Sequence, residues 1–502
     1  VHFATSCNAA VAKDFDRAVA MLHSFWFSAA IDGFNGVLKA DPACSMAHWG
    51  IAMSWWGNPF GGFRSPQALQ NGQAAIEKAK TAAPKTERER AYLAAVETLY
   101  RDFATVDQRT RTLAYEKGME QLAAKYPDDA EARIFYALSL DQTALPADKT
   151  YANQLKAASI LEKEFARQPD HPGITHYIIH SFDAPPLAQR GLEAARRYAK
   201  IAPAVPHALH MPSHTFTRVG AWQESIDANR ASADAARKDK AGATEELHAL
   251  DYQVYAYLQT AQDAQAKKTM DEIGPIGDRI QVNVAGAAAP APAGFFALAA
   301  IPARYALERN AWAEAARLTP RESPYAYTAA ITYFARAIGA ARTKDPAAAQ
   351  ADVEKLATLR DGLLKAKDAY WSEQVEIQRQ AATAWIALAQ GRTDEALKLA
   401  REAADREDAT EKSAVTPGPI KPARELLGDM LMEVGRPADA LKEFETAMKK
   451  EPNRFRSLYG AVQAAQATGD RKKARDYSAR LREICARADT PGRAELETIK
   501  KL

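Results

Sequence analysis

The chain has 502 residues, 47% of them hydrophobic, with 66 basic against 63 acidic side chains and a net charge of +3. That length exceeds what one compact core usually holds, so either several domains or an array that grows in one dimension is required. The hydrophobic fraction excludes a disordered chain, and the balanced charge removes any bulk electrostatic case for a nucleic-acid partner.

Taken in chain order, Ala-rich segments with apolar residues at 3.6-residue spacing run from end to end, and strand signals are nearly absent. Ala30, Phe34 and Pro42 mark a helix–turn–helix repeat, and Ala137 with an extended turn marks another. Gly191, Ala195 and Pro203 mark the next, followed by Gly220, Trp222 and Ile226. Gln259 to Ala266 is the turn of a further repeat. Residues 1–270 thus read as an N-terminal array, residues 271–300 as an Ala/Pro/Gly-rich connection, and residues 301–502 as a C-terminal helical array. The uncharged stretch from Ile280 to Ala303 contains Pro290, Pro292, Pro302 and two glycines, and reads as a loop, not a membrane span. A second irregular stretch, Glu407 to Pro422, precedes the clearest repeat, Lys421 to Pro452. In that repeat, small residues such as Gly428 and Ala440 let the paired helices approach. Leu427, Leu431 and Phe444 fill the space between repeats, and Pro452 closes the second helix. A last repeat follows, with Gly469 at its turn and Ala474 in its second helix.

This frame resembles the tetratricopeptide-repeat family over most of the chain, most specifically in the two C-terminal repeats. The resemblance implies an all-α, TPR-like helix–turn–helix solenoid in two arrays. The segments HFATSC (2–7), MLHSFWF (21–27), AHWGIAMSWWGNPF (47–60) and HALHMPSHTF (207–216) look like those of a group of exported bacterial repeat proteins. That likeness, with a chain starting at Val1, implies a removed signal peptide and a periplasmic or secreted location. Most members of the family are binding scaffolds, so no activity is carried over.

There are three cysteines and no CxxC, which argues against a zinc ribbon or attached haem. Cys7 and Cys44 each precede a predicted helix in successive repeats; a disulfide between them is one reading and two inert thiols the other. Cys485 is left over.

The chemistry is concentrated in histidine. His176 and His180 are four residues apart, as are His210 and His214, and the second pair follows the first by 34 residues. Thirty-four is the period of this repeat type, so the two pairs fall at equivalent positions on successive helices. Residues four apart on a helix have Cβ atoms about 5–6 Å apart, close enough to share one ion. With repeats starting at Pro172, Pro206 and Leu247, the resemblance to tetratricopeptide repeats implies a groove-facing set of His176, His180 and Asp183, then His207, His210 and His214, then His248 and Asp251. One repeat earlier the same frame places Glu131 and Asp141. Imidazoles without thiolates suit copper, zinc or iron, and the paired HxxxH helices resemble the ligand spacing of coupled dicopper oxygen-binding proteins. The expectation is one or two transition-metal ions, copper first, then iron or zinc. Asp183 and Asp251 would ligate directly or set histidine tautomers.

Pro212 interrupts the second pair, so that helix is expected to kink or to start late. His171 reads as a solvated turn residue, and His2 as an ordinary residue near the N-terminus. Trp49, Met53 and Trp56 fall on the groove face of the second repeat with His23 and His48 nearby, giving either an aromatic substrate cleft or a packed core. Phe25 and Phe27 read as core. Glu425 and Asp429 fall on groove positions of the C-terminal array and are given no catalytic role. The function expected is a metalloenzyme activating water or dioxygen against a small molecule in the groove. The alternatives are a peptide-binding scaffold and a metal store or carrier.

Overall fold

The computed structural model describes residues 1–62, 64–239, 242–282 and 288–500. Among the described residues there is no strand. The helices are α1 (Ala12–His23), α2 (Phe27–Ala40), α3 (Ser45–Trp56), α4 (Pro66–Thr81), α5 (Glu87–Glu97), α6 (Gln108–Lys125), α7 (Ala130–Thr143), α8 (Ala152–Arg167), α9 (Pro172–Ser181), α10 (Leu192–Ile201), α11 (Pro206–His210), α12 (Pro212–Val219) and α13 (Trp222–Ala236). There follow α14 (Ala243–Gln259), α15 (Asp263–Gly277), α16 (Ala291–Glu308), α17 (Trp312–Ala315), α18 (Ala326–Arg342), α19 (Pro346–Lys365), α20 (Ala369–Ala389), α21 (Thr393–Asp408), α22 (Ala423–Glu433), α23 (Pro437–Lys450), α24 (Phe455–Ala467), α25 (Arg471–Ile484) and α26 (Ala494–Ile499).

The chain divides into two compact units that interleave in sequence. The first comprises Val1–Thr215, Ala231–Glu245 and Gln281–Ala291; the second comprises Phe216–Arg230, Glu246–Ile280 and Pro292–Leu502. Two of the boundaries between these segments, 280/281 and 291/292, fall inside the 271–300 stretch, and the others lie between 215 and 246. Much of that stretch is helical, in α15 and α16, while residues 283–287 lie outside the described residues. Alanine is the best helix former, and Pro292 falls in the first turn of α16, where its missing N–H costs nothing. The loop expected for Ile280 to Ala303 is thus a helix over its second half. Among the described residues no helix is long and apolar enough to cross a membrane.

Each unit is built as an all-α solenoid. In the first, α3 packs on α4 and α5, and α7 on α8 and α9. In the second, α18 packs on α19 and α20, and α22 on α23 and α24. Contact with the next helix and the next but one is the signature of a repeat array. The Phe444 ring of α23 lies between Gly428 on α22 and Gly460 on α24, where a Cβ would come within 2.6 and 2.3 Å of it. Phe34 meets Gly50 in the same way in the first unit, at 2.2 Å. One contact in the first unit departs from neighbour-only packing: α1 also packs on α9. That contact brings His23 against the helix that carries His176 and His180.

Candidate metal centre

Helix α9 begins at Pro172, pre-organised for a first turn, with the His171 side chain accepting the Ile174 N–H as its N-cap. One turn apart on this helix, His176 and His180 bring their Nε2 atoms to 3.1 Å. His207 on α11 adds a third, its Nε2 lying 3.2 Å from that of His176. The three nitrogens all lie within 4.8 Å of one another. A tetrahedral ion with metal–nitrogen bonds of about 2.0–2.1 Å needs its ligand nitrogens roughly 3.3–3.4 Å apart.

The protons in this cluster follow from its outer contacts. His176 Nδ1 donates to the His23 backbone carbonyl at 2.7 Å, so in the neutral ring Nε2 carries only a lone pair. Burial pushes the His176 pKa down to about 3, the carbonyl bond opposing this and the His23 and His214 rings adding to it. His207 is driven well below the ordinary histidine range, by burial first and then by the four surrounding imidazoles. Its Nδ1 is buried without a hydrogen-bond partner among the described residues. The result is a cluster in which His176 and His207 are held neutral and His180 meets His176 nitrogen to nitrogen, a donor set suited to a cation.

His210 and His214 form a second pair, their Nε2 atoms 3.1 Å apart. His214 Nδ1 donates to Asp183 Oδ2 at 2.8 Å, which again leaves Nε2 bare. Through this bond Asp183 Oδ2 is placed to set the His214 tautomer. The expected interruption at Pro212 is present: α11 ends at His210 and α12 starts at Pro212. Met211 between them keeps helical backbone angles, φ −52° and ψ −37°, so the face carrying the two rings is preserved across the break. The sequence register grouped His207 with these two; the structure groups it with His176 and His180.

Aromatic rings wall the centre, but not the ones expected. Phe25 closes α1 in a left-handed conformation, φ +56°, at a position that usually takes glycine. Its amide bonds back to Leu22 and that of Trp26 to Met21. The ring so placed meets His176 at 4.4 Å and His207 at 5.3 Å. Phe60 stacks on His180 at 4.2 Å, and Tyr198 on His176 at 5.1 Å. Of the three clustered rings only His180 is not fully buried. No periodicity marks Phe60, which lies in a loop; the Phe25 signal was a bulky residue where the helix end calls for glycine.

The expected cleft residues are core. Trp49 packs among Phe3, Tyr92 and Phe135, and Met53 lies under the Tyr115 hydroxyl. Trp56 packs against Tyr100 beneath the Arg64 guanidinium. All three are buried, so none is open to a substrate. His48 is half-buried beside Lys78, and burial followed by that ammonium lowers its pKa. His23 is fully enclosed, with Nε2 2.8 Å from Glu131 and Nδ1 2.9 Å from the Tyr177 hydroxyl. His171, expected in solvent, is 3% exposed and bonds the other Glu131 oxygen at 2.9 Å. Burial would raise the Glu131 pKa, but the two histidines outweigh it and hold the carboxylate ionised. Asp141 accepts from Ser181 at 2.6 Å and is pushed well above the carboxylate range by burial. His2 is exposed, 3.5 Å from Asp16.

His248 and Asp251 sit on α14 in the second unit. The His248 ring meets Tyr252 edge-on at 5.3 Å. Asp251 is ion-paired with Arg304, both side chains fully buried, so it is the counter-ion of an arginine and not the ligand or tautomer anchor expected of it. Glu425 is likewise buried against Arg454, not presented to a groove. The three-nitrogen focus of the first unit is complete without any of these. Cys7 and Cys44 are joined in a disulfide, and Cys485 is buried.

No family model matches the chain, and no curated protein matches it. Among solved structures it is similar to a human IFIT1 dimer with PPP-AAAA, at 10% identity and a TM-score of 0.40, covering 88% of this chain and 91% of the other. It is also similar to a human IFIT1 dimer with m7Gppp-AAAA, at 11% identity and a TM-score of 0.40, covering 88% of this chain and 90% of that one. The likeness is that of long helical arrays, and no ligand or site passes across it.

Proposed function

We propose that the chain is a transition-metal protein whose first unit holds one or two ions, and that it acts as a metalloenzyme on water or dioxygen. The observation carrying this reading is the convergence of the His176, His180 and His207 Nε2 atoms, with His176 locked as a lone-pair donor. A bound ion there would supply a Lewis acid that lowers the pKa of water, or a redox partner for dioxygen. The chain's own part is to present three imidazole nitrogens, to hold His214 through Asp183, and to keep bulk water out with Phe25 and Phe60. His180, the one partly exposed ring, lies on the side from which a small substrate would approach. An imidazole set without thiolate, in two pairs, favours copper, then iron or zinc.

The Cys7–Cys44 bridge fits the periplasmic or secreted location proposed, since disulfides persist in oxidising compartments. Against a nucleic-acid ligand stands only the balance of 66 basic and 63 acidic residues. A peptide scaffold would need no metal, and a carrier would bind metal without turnover.

Elemental analysis and an absorption spectrum of the purified protein test the reading, because dicopper, iron and zinc centres differ plainly. Joint replacement of His180 and His214 by Ala is expected to remove stoichiometric metal and leave the helical content unchanged. Full metal in that variant, or a wild-type protein that takes up no ion, overturns the reading.

A further inference from the structure

We propose that Glu131 is a positioning residue for the histidine centre: through the His23 side chain it fixes the carbonyl that holds His176 in its metal-binding tautomer. The inference rests on the metal reading above. The carbonyl in question belongs to the last residue of α1, where a helix leaves its C=O groups without intrahelical partners. His176 Nδ1–H takes it up at 2.7 Å. A carbonyl at a helix end frays easily unless its residue is anchored. Here the anchor is the His23 ring.

That ring is held on every side. Nε2 donates to Glu131 Oε2 at 2.8 Å, and Nδ1 accepts from the Tyr177 hydroxyl at 2.9 Å. Phe135 stacks on one face at 4.6 Å. Gly173 of α9 comes so close that a Cβ there would lie 2.4 Å from His23 Nδ1. The second oxygen of Glu131 binds His171 Nε2 at 2.9 Å, and His171 caps α9, the helix that carries His176 and His180. One carboxylate thus ties the end of α1, which supplies the acceptor, to the start of α9, which supplies the ligands. Glu131 itself sits in the first turn of α7, where the helix dipole favours an anion. These four groups satisfy one another with hydrogen bonds: two imidazole N–H groups meet two carboxylate oxygens, and the remaining ring nitrogens accept from Tyr177 and the Ile174 amide. The cluster therefore reads as a clamp and not as a second ion site, although its ligand atoms are close enough for one.

Outer partners of metal-bound histidines typically account for about 10–100-fold in metal affinity. The test uses zinc ion as a diamagnetic probe, with nitrogen NMR of His176 in the metal-free protein as a second readout. In the wild type His176 should be a single tautomer protonated at Nδ1. Glu131→Ala should weaken zinc binding by about 10–100-fold and mix the tautomers, still reaching full stoichiometry at saturation. Glu131→Gln, which keeps an acceptor oxygen, should recover most of the loss. Should Glu131→Ala fail to fold, Tyr177→Phe, which removes only the hydroxyl on His23, carries the test and should move both readouts in the same direction by less. An unchanged zinc affinity and a single unchanged His176 tautomer in the folded variants overturn the proposal. A wild type that binds no metal, with tautomers that still respond to Glu131, would remove the metal reading and leave the clamp standing.

Discussion

The two units bury ionisable groups in opposite ways. In the second, Arg454 is fully enclosed, donating to Glu425 at 2.7 and 3.0 Å, to the Tyr255 hydroxyl at 2.6 Å, and to Glu308. Arg304 is enclosed too, bound to Asp251, to Thr416 at 2.8 Å and to the Gly418 carbonyl at 2.7 Å. Cation and anion answer each other there, in direct ion pairs. In the first unit, imidazole nitrogens of one kind face each other at 3.1 and 3.2 Å, and the nearest carboxylates act on the outer nitrogens or on other rings. Buried polar groups paired with opposite charge are structural; imidazole nitrogens that converge on one point offer a place for a cation.

The sharpest way to test that contrast is to break each cluster and measure stability and metal together. Arg454→Met leaves Glu308 and Glu425 buried without their cation, so it should cost about 3–5 kcal/mol in denaturant unfolding and leave metal content untouched. His180→Ala, at a partly exposed site, should cost no more than about 1 kcal/mol while metal is lost. If Arg454→Met proves neutral, the second network is not the structural element described here.

A somewhat smaller effect is expected from the disulfide, which belongs to the first unit. It spans a sequence separation of 37 residues. Closing a loop of that size is worth about 3–4 kcal/mol in the chain-entropy account, so a Cys7→Ser, Cys44→Ser variant should lose about that much stability and melt at a lower temperature. A calorimetric trace unchanged from wild type would show that α1 to α3 are held without the bridge.

The least effect near neutrality, and the one that grows with acid, comes from His176. Its pKa is 6.5 in a free chain and about 3 in the fold. The unfolded chain therefore binds more protons between those values. The stability this ring contributes is complete above pH 6.5 and is lost as pH falls towards 3. Denaturant titrations of metal-free protein between pH 7 and 4 should show that slope, and it should shrink in His176→Gln. An identical slope in the variant would mean that the ring is not held neutral.

How much of this was legible in the sequence follows the range of each signal. The all-α array was legible because helical periodicity is local, and Phe444 between Gly428 and Gly460 shows why its small and large positions recur. The pairs His176–His180 and His210–His214 were legible for the same reason, since four residues make about one turn. The break at Pro212 was legible too, and left the register intact. Residues at a helix end or in a loop carry no period, so Phe60 and the roles of His171 and Glu131 were not.

The sequence alone thus determined a helical repeat chain with two histidine pairs in phase, because backbone geometry translates spacing directly into a shared face. Only the tertiary structure decided that His207 joins the first pair, that Trp49, Met53 and Trp56 are core, and that Asp251 belongs to Arg304. It also decided the proton on His176, because the acceptor is a carbonyl 153 residues away, brought in by the packing of α1 on α9. Side-chain partners across helices depend on which elements touch and at what depth, and no spacing along one strand of sequence encodes that.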